Sequence, residues 1–426
     1  MGFVDELRWR NQLQDIMPGT EELLNRESVS AYIGFDPTAD SLHIGSLAQI
    51  TLLMRFQQYG HKPIALLGGA TGMIGDPSGK KEERKLLTLD DIQHNIDGIK
   101  KQLGKFLEFG TGANAATLVN NNDWFSKMSI TGFLRDVGKY LTINYLLSKG
   151  FVKERIEEGE LSFTEFNYIL LQAYDFLHLY ENHNCKLQMG GSDQWGNITA
   201  GSELIRKKLR GEAMALTIPL VTKADGTKFG KSEKGNVWLD ASKYSPFRFY
   251  QFWLNIADED IAKYLLTFSM ENKEAIENIV NESKLKPEHR IAQKRLAEEL
   301  TIRVHSAGAL ENAIEKTEVI YGVGGSFERF AKLDPIEIED AFDSDLTFKV
   351  SNELFASELN PVNLLGEHTA IFPSKGEARK SIQGNGVSVN KQKINPEHKI
   401  TSADLLHGKY LLVQKGKKNF YLIIAN

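Results

Sequence analysis

Apolar and polar positions follow two rhythms along this chain. Over the first 240 residues, short apolar or β-branched runs alternate with longer stretches of helical period. Ala31–Phe35 (AYIGF) and Pro63–Leu67 (PIALL) read as strands, each followed by a turn rich in Gly, Asp or Pro. Ala116–Val119 and Lys186–Met189 are further strands that run into polar or Gly-rich turns. Ile44–Tyr59, Leu89–Leu107 and Phe163–Leu179 have helical length and spacing between them. Strands alternating with helices predict an α/β domain with a parallel sheet over residues 1–240. From about Pro246 to Val319 the strands fade. Apolar residues recur at three and four spacing through Phe249–Leu266, Lys273–Glu282 and Ile291–Ile314, which predicts an α-helical domain over 241–320.

Charge divides the rest. After the Tyr321–Ser326 segment (YGVGGS), residues 332–349 hold six acids against two lysines, and 321–350 reads as an acidic linker. Residues 351–426 hold ten Lys and Arg against six acids, with short strands at Val387–Val389, Tyr410–Val413 and Phe420–Ile424. They read as a small basic α+β module. The whole chain of 426 residues carries a formal charge of -5, which by itself argues against a nucleic-acid partner. That statistic misleads, because a local basic surface survives at the C-terminal end.

Composition narrows the classes further. With 41% apolar and 25% charged residues the chain is an ordinary globular one, long enough for two or three cored domains. One cysteine, Cys185, excludes an internal disulfide and a Cys-rich zinc module, and fits a reducing, cytoplasmic setting. No run of about 18 apolar residues exists to span a membrane, and Met1–Arg10 lacks the apolar stretch of a signal peptide.

Two segments carry candidate chemistry. In Tyr32–Ser46 (YIGFDPTADSLHIGS) a strand ends, a Pro/Asp/Thr turn follows and a helix begins near His43. Free N–H groups at such a helix start favour an anion, Gly45 permits close backbone approach, and Thr38 and His43 can donate to phosphate oxygens. A strand–turn–helix with a surface histidine would look the same. In Lys228–Ser232 (KFGKS) two lysines flank a glycine, which suits a clamp on a polyphosphate, or equally a solvated basic turn. Tyr168, Gln172 and Asp175 stand at i, i+4 and i+7 and form one polar stripe among apolar neighbours; it either faces water or lines a pocket.

Together, the HIGH-like turn early in the parallel-sheet region and KFGKS late in it resemble the signature pair of class I aminoacyl-tRNA synthetases. Gly75–Lys80 (GDPSGK), the Tyr168, Gln172 and Asp175 stripe, and Gln188–Asn197 (QMGGSDQWGN) look like the bacterial tyrosyl-tRNA synthetase family. Ala378–Ile382 with Gly386–Asn390 is similar to its C-terminal S4-type RNA-binding domain. The resemblance spans essentially the whole chain. It implies a Rossmann-like catalytic domain, followed by an α-helical anticodon-binding-type domain and an S4-like domain.

It also implies roles. Asp175 and Tyr32 would bond the substrate phenol. Tyr168, Gln172 and Asp76 would hold the α-ammonium, with Gln194 nearby. Asp36, Gly45, Ser46, Gly191, Asp193 and Lys231 would bind ATP. Thr38, His43, Lys80, Arg84, Lys228 and Lys231 would stabilise the charge that develops during adenylation. The implied partners are L-tyrosine, ATP and tRNA(Tyr); Mg2+ would accompany ATP without dedicated protein ligands, and the family is a homodimer. The chain departs from the best-known pattern at Ser46, Ile33 and Gln49, all on the ribose side. Alternatives are a tryptophanyl enzyme, a nucleotidyltransferase that charges no tRNA, and an RNA-binding protein that has lost catalysis.

Overall fold

The computed structural model describes residues 2–78, 87–157, 159, 161–227, 229–232, 235–322, 327–342, 344–416 and 419–426. It groups the chain into two compact units: Met1–Gly230 with Val237–Lys243 and Trp253–Val304, and Lys231–Asn236 with Tyr244–Phe252 and His305–Asn426.

The first unit is built on a six-stranded sheet. Its strands are β1 (Asp15–Ile16), β2 (Ser30–Phe35), β3 (Lys62–Leu67), β4 (Thr117–Asn120), β5 (Cys185–Gly191) and β6 (Met214–Ile218), ordered β1-β6-β5-β2-β3-β4. All neighbours are parallel except β1, which runs antiparallel along the β6 edge. The expected parallel sheet is therefore present. The pattern reading had not identified β6 or the two-residue edge β1. β2 and β3 are almost continuously apolar and buried along most of their length, the pattern of strands that do not face water on either side.

Chain order makes the middle of the sheet special. From β2 the chain steps outward to β3 and β4, then returns to place β5 on the other side of β2. Such a reversal leaves a crevice at the C-terminal ends of the two strands, where open α/β sheets bind ligands.

Local signals set the helices around it. Helix Leu89–Leu103 starts at a Thr88/Asp91 capping box, and helix Phe163–His183 at a Ser162/Glu165 capping box. The latter runs one turn beyond the expected Leu179 and stops at Asn184, whose φ of 48° is left-handed. Helix Ile44–Gln58 begins directly after His43 and buries Leu47, Ile50, Leu53 and Phe56 almost completely. Further along this unit, Ile261–Phe268, Lys273–Leu285 and Ile291–Val304 are helical. The run expected to continue to Ile314 breaks instead, because Ser306 caps a new helix, Ala307–Tyr321, by accepting from Ala309 N.

The second unit carries the hairpin β7 (Lys231–Ser232) and β8 (Gly235–Asn236). Its five-stranded sheet comprises β9 (Thr347–Val350), β10 (Val387–Val389), β11 (Gln392–Lys393), β12 (Tyr410–Lys415) and β13 (Asn419–Ala425), ordered β11-β10-β12-β13-β9. Helix Lys375–Gln383 packs its Ala378 and Ile382 into a core with Val387, Val389, Leu411 and Ile423. The acidic segment 321–350 is not a bare linker over its described residues. β9 pairs in parallel with β13, Phe330, Ile338 and Phe342 are buried, and Glu339 accepts from Tyr410 Oη at 2.5 Å and from Lys409 Nζ at 2.9 Å. Of the described acids that suggested a solvated tether, Asp334, Glu339 and Asp345 are exposed on a folded element.

Candidate active site

The crevice between β2 and β5 opens into a cavity of about 330 Å³. Tyr32 to Asp36 line it from the end of β2, and Gln188 to Gly190 from the end of β5. Thr38, His43 and Ser46 line it from the turn and helix after β2, and Asp76 and Ser78 from the segment after β3. Tyr168, Gln172 and Asp175 face it from helix Phe163–His183, so the polar stripe turns inward. Asp193 and Gln194 complete the wall. Eleven residues expected from sequence thus meet in one space: Tyr32, Asp36, Thr38, His43, Ser46, Asp76, Tyr168, Gln172, Asp175, Asp193 and Gln194. Gly45 and Gly191 adjoin lining residues. Lys80, Arg84 and Lys228 lie outside the described residues; Lys231 is on β7 of the second unit, and its side chain also lies outside them.

Asp175 is buried, 2% exposed. Trp124 Nε1 donates to its Oδ1 at 2.9 Å and Asn121 Nδ2 to its Oδ2 at 3.1 Å. Burial raises its pKa from 3.8 to about 8, and these two donors oppose the rise. Asn121 also donates to Thr71 Oγ1 at 2.9 Å and accepts from Ala70 N at 2.7 Å. Thr71 Oγ1 donates to Asp36 Oδ1 at 2.8 Å, and Tyr168 Oη to Asp36 Oδ2 at 2.9 Å. One chain of hydrogen bonds therefore runs from Asp175 to Tyr168. Burial pushes the Tyr32 and Tyr168 phenols well above their ordinary value, so both act as neutral hydroxyls.

A second network holds the amide groups. Gln194 Nε2 donates to Asp76 Oδ2 at 2.7 Å, and Gln172 Nε2 to Gln194 Oε1 at 3.2 Å. Asp76 Oδ1 accepts from Ser78 N at 2.9 Å. Two acceptors that line the cavity, Asp193 Oδ1 and Gln188 Oε1, are buried without a hydrogen-bond partner among the described residues. Burial, then the nearby Asp76 charge, raises the Asp193 carboxyl. A buried acceptor left unpaired is expensive, so these atoms await donors from a ligand.

His43 caps its helix with Nδ1, which accepts from Gly45 N at 3.0 Å. The neutral ring then carries its proton on Nε2. Gly45 is needed for this geometry, since a Cβ there would lie 2.8 Å from His43 Cε1. Behind His43, Ile44 N donates to Val237 O and Leu239 N to Leu42 O, both at 2.9 Å, tying the segment after KFGKS to the turn. Phe229 of KFGKS is buried against Trp253, Tyr264 and Phe268, with its ring 4.3 Å from that of Tyr264.

Sequence reading missed Thr71, Asn121 and Trp124, and placed Ser78 and Gln188 in motifs without giving them a role. Asn121 and Trp124 follow directly on β4, so the rule that α/β sites form at strand ends was the available signal. Cys185 is fully buried, and burial pushes its thiol up to about 12, which leaves it unreactive.

A mostly parallel sheet with a polar cavity at its switch point is the ligand-binding arrangement of open α/β proteins. Residues 24–322 match the family model described as tRNA synthetases class I (W and Y). Residues 337–423 match that of the tyrosine--tRNA ligase SYY-like C-terminal domain. The chain belongs to the class I tRNA synthetases of this W and Y family. It is 55% identical to a tyrosine--tRNA ligase of Bacteroides thetaiotaomicron, covering all of both chains. It is 54% identical to one of Cytophaga hutchinsonii, covering all of this chain and 99% of the other. Its fold also matches a C-terminally truncated mitochondrial tyrosyl-tRNA synthetase of Aspergillus nidulans, with a TM-score of 0.67 and 29% identity over 74% of this chain and 93% of that one.

Proposed function

We propose that the chain is a tyrosine--tRNA ligase in which the cavity between β2 and β5 holds tyrosine and ATP. Asp175 carries this reading. It is a buried carboxylate at the end of a pocket lined by Tyr32, with donors behind it and space in front. A phenol hydroxyl meets it there, with Tyr32 as second partner. Phenylalanine is rejected because it would leave these buried polar groups unpaired, which costs far more than a missing methylene. Tyr168, Gln172, Asp76 and Gln194 receive the α-ammonium, and Asp193 and Gly191 the ribose hydroxyls, the unpaired Asp193 Oδ1 accepting one of them.

The reaction is two displacements. The tyrosine carboxylate attacks the α-phosphate of Mg·ATP, whose Mg2+ arrives on the nucleotide, and pyrophosphate leaves. The terminal ribose hydroxyl of tRNA(Tyr) then attacks the acyl carbon and AMP leaves. No side chain forms a covalent bond. Thr38 and His43 donate to phosphate oxygens as charge moves to the leaving group, and Lys80, Arg84, Lys228 and Lys231 neutralise it, so catalysis is positioning and electrostatic stabilisation.

Residues 1–240 activate tyrosine, and 241–320 with the basic 351–426 module bind tRNA. The enzyme works as a homodimer in the cytoplasm. No described helix is long and apolar enough to cross a membrane.

ATP–pyrophosphate exchange with tyrosine, tryptophan or phenylalanine, then charging of added tRNA, tests the whole reading. Exchange should require tyrosine. Exchange driven by tryptophan would move the enzyme to the other branch of the family, and exchange without charging would make it a small-molecule ligase.

A further inference from the structure

The Trp124 indole that donates to Asp175 also meets a ring outside the cavity. His178 stacks on the Trp124 indole, with ring centroids 4.3 Å apart and an interplanar angle of 20°. Asp175 and His178 sit three residues apart on helix Phe163–His183, so they share a face. One indole therefore spans both: its Nε1 donates to Asp175 Oδ1 at 2.9 Å while its ring lies flat on the imidazole. His178 is itself restrained. Asn182 Nδ2 donates to the His178 carbonyl at 2.9 Å and lies 3.4 Å from Nδ1, and the Tyr174 ring flanks it at 6.2 Å. Trp124 is 8% exposed, whereas His178 is half-buried and lines no part of the cavity.

We propose that His178 is a specificity-determining positioning residue, which holds the Trp124 indole edge-on to Asp175 and so sets how strongly the pocket prefers a phenol over a bare ring. The inference rests on the reading of Asp175 as the partner of the tyrosine hydroxyl. An indole free to tilt would lose its aim at Oδ1, leaving a buried oxygen without its donor and the Asp175 side chain less fixed where the phenol must meet it. The stack supplies the restraint without touching substrate. Because the effect acts on the ring end of tyrosine and not on the phosphates, it belongs to binding and not to the chemical step.

The test is steady-state pyrophosphate exchange with tyrosine and with phenylalanine on the full chain, for His178→Ala, His178→Phe and Asp175→Asn, each checked for native tryptophan fluorescence. His178→Ala should raise the KM for tyrosine about three- to tenfold at nearly unchanged kcat, the range an aromatic pair supports, and leave the phenylalanine reaction where it was. His178→Phe, which keeps a flat ring on the indole, should restore the KM to within about twofold. An unchanged tyrosine KM in His178→Ala, or a loss that falls equally on both amino acids and is not rescued by phenylalanine at 178, overturns the proposal. Asp175→Asn separates the two readings. If it leaves the tyrosine-to-phenylalanine ratio intact, the assignment of Asp175 itself fails; if it collapses the ratio while His178→Ala does nothing, only the role of His178 fails.

Discussion

Titration of Asp175 gives a measurable signature of its burial. In the unfolded chain its carboxyl has the ordinary value of 3.8, and in the folded, ligand-free protein it sits at about 8. Between these values the native state holds a proton that the unfolded state has released. Stability is therefore fully present below pH 3.8 and declines as pH rises towards 8, with a limiting slope of about 1.4 kcal/mol per pH unit. From pH 5 to pH 7 the loss from this one group is about 3 kcal/mol. Other groups titrate in the same interval, so the quantity to read is a difference: the change in unfolding free energy between pH 5 and 7 for the wild type minus that for Asp175→Asn, which cannot titrate. Urea unfolding followed by tryptophan fluorescence is suited to this, because Trp9, Trp124, Trp195, Trp238 and Trp253 all belong to the first unit. The wild type should lose about 3 kcal/mol more than the variant. Equal losses would show that Asp175 is ionised at pH 5 in the folded protein, and the account of a desolvated carboxylate in the pocket would be wrong.

Three more results are expected. Asn121→Ala leaves Ala70 N–H and Asp175 Oδ2 buried without a partner, at about 1–3 kcal/mol each, and should lower the urea midpoint while raising the KM for tyrosine. Gly230→Ala puts a Cβ 2.4 Å from Ile44 Cγ2 at a φ of +89°, so the stem of the KFGKS loop must leave the His43 helix; adenylation measured in single-turnover experiments should slow while equilibrium binding of tyrosine stays unchanged. A chain ending at Gly322 should retain tyrosine-dependent exchange and lose at least about tenfold in tRNA charging, whereas a cut at 351 strips β9, Phe342 and Glu339 of their partners and should aggregate more readily.

Much of this protein is written locally. The apolar runs of β2 and β3, the capping boxes at Thr88 and Ser162, and the turn chemistry at Asp36–His43 depend on neighbours a few residues away, so they are legible in the linear chain. The same holds for the stripe Tyr168, Gln172 and Asp175, whose spacing places the three side chains together on any helix. Which way that stripe faces is not local, since an i, i+4, i+7 polar row suits solvent as well as a pocket. It turns inward because β5 returns to pair with β2 and closes the crevice.

Long-range packing also decided what the charge pattern obscured. The acids of 332–349 read as a tether because sequence counts charges but not partners; β9 finds β13 more than 70 residues later, and Glu339 finds Tyr410. Asn121 and Trp124 look like ordinary residues after a short strand until β4 docks on β3 and carries them to Asp175. The linear chain thus determined which groups could do the chemistry. The tertiary fold determined which of them are out of water, and desolvation is what turns an ordinary aspartate into a carboxyl with a pKa near 8.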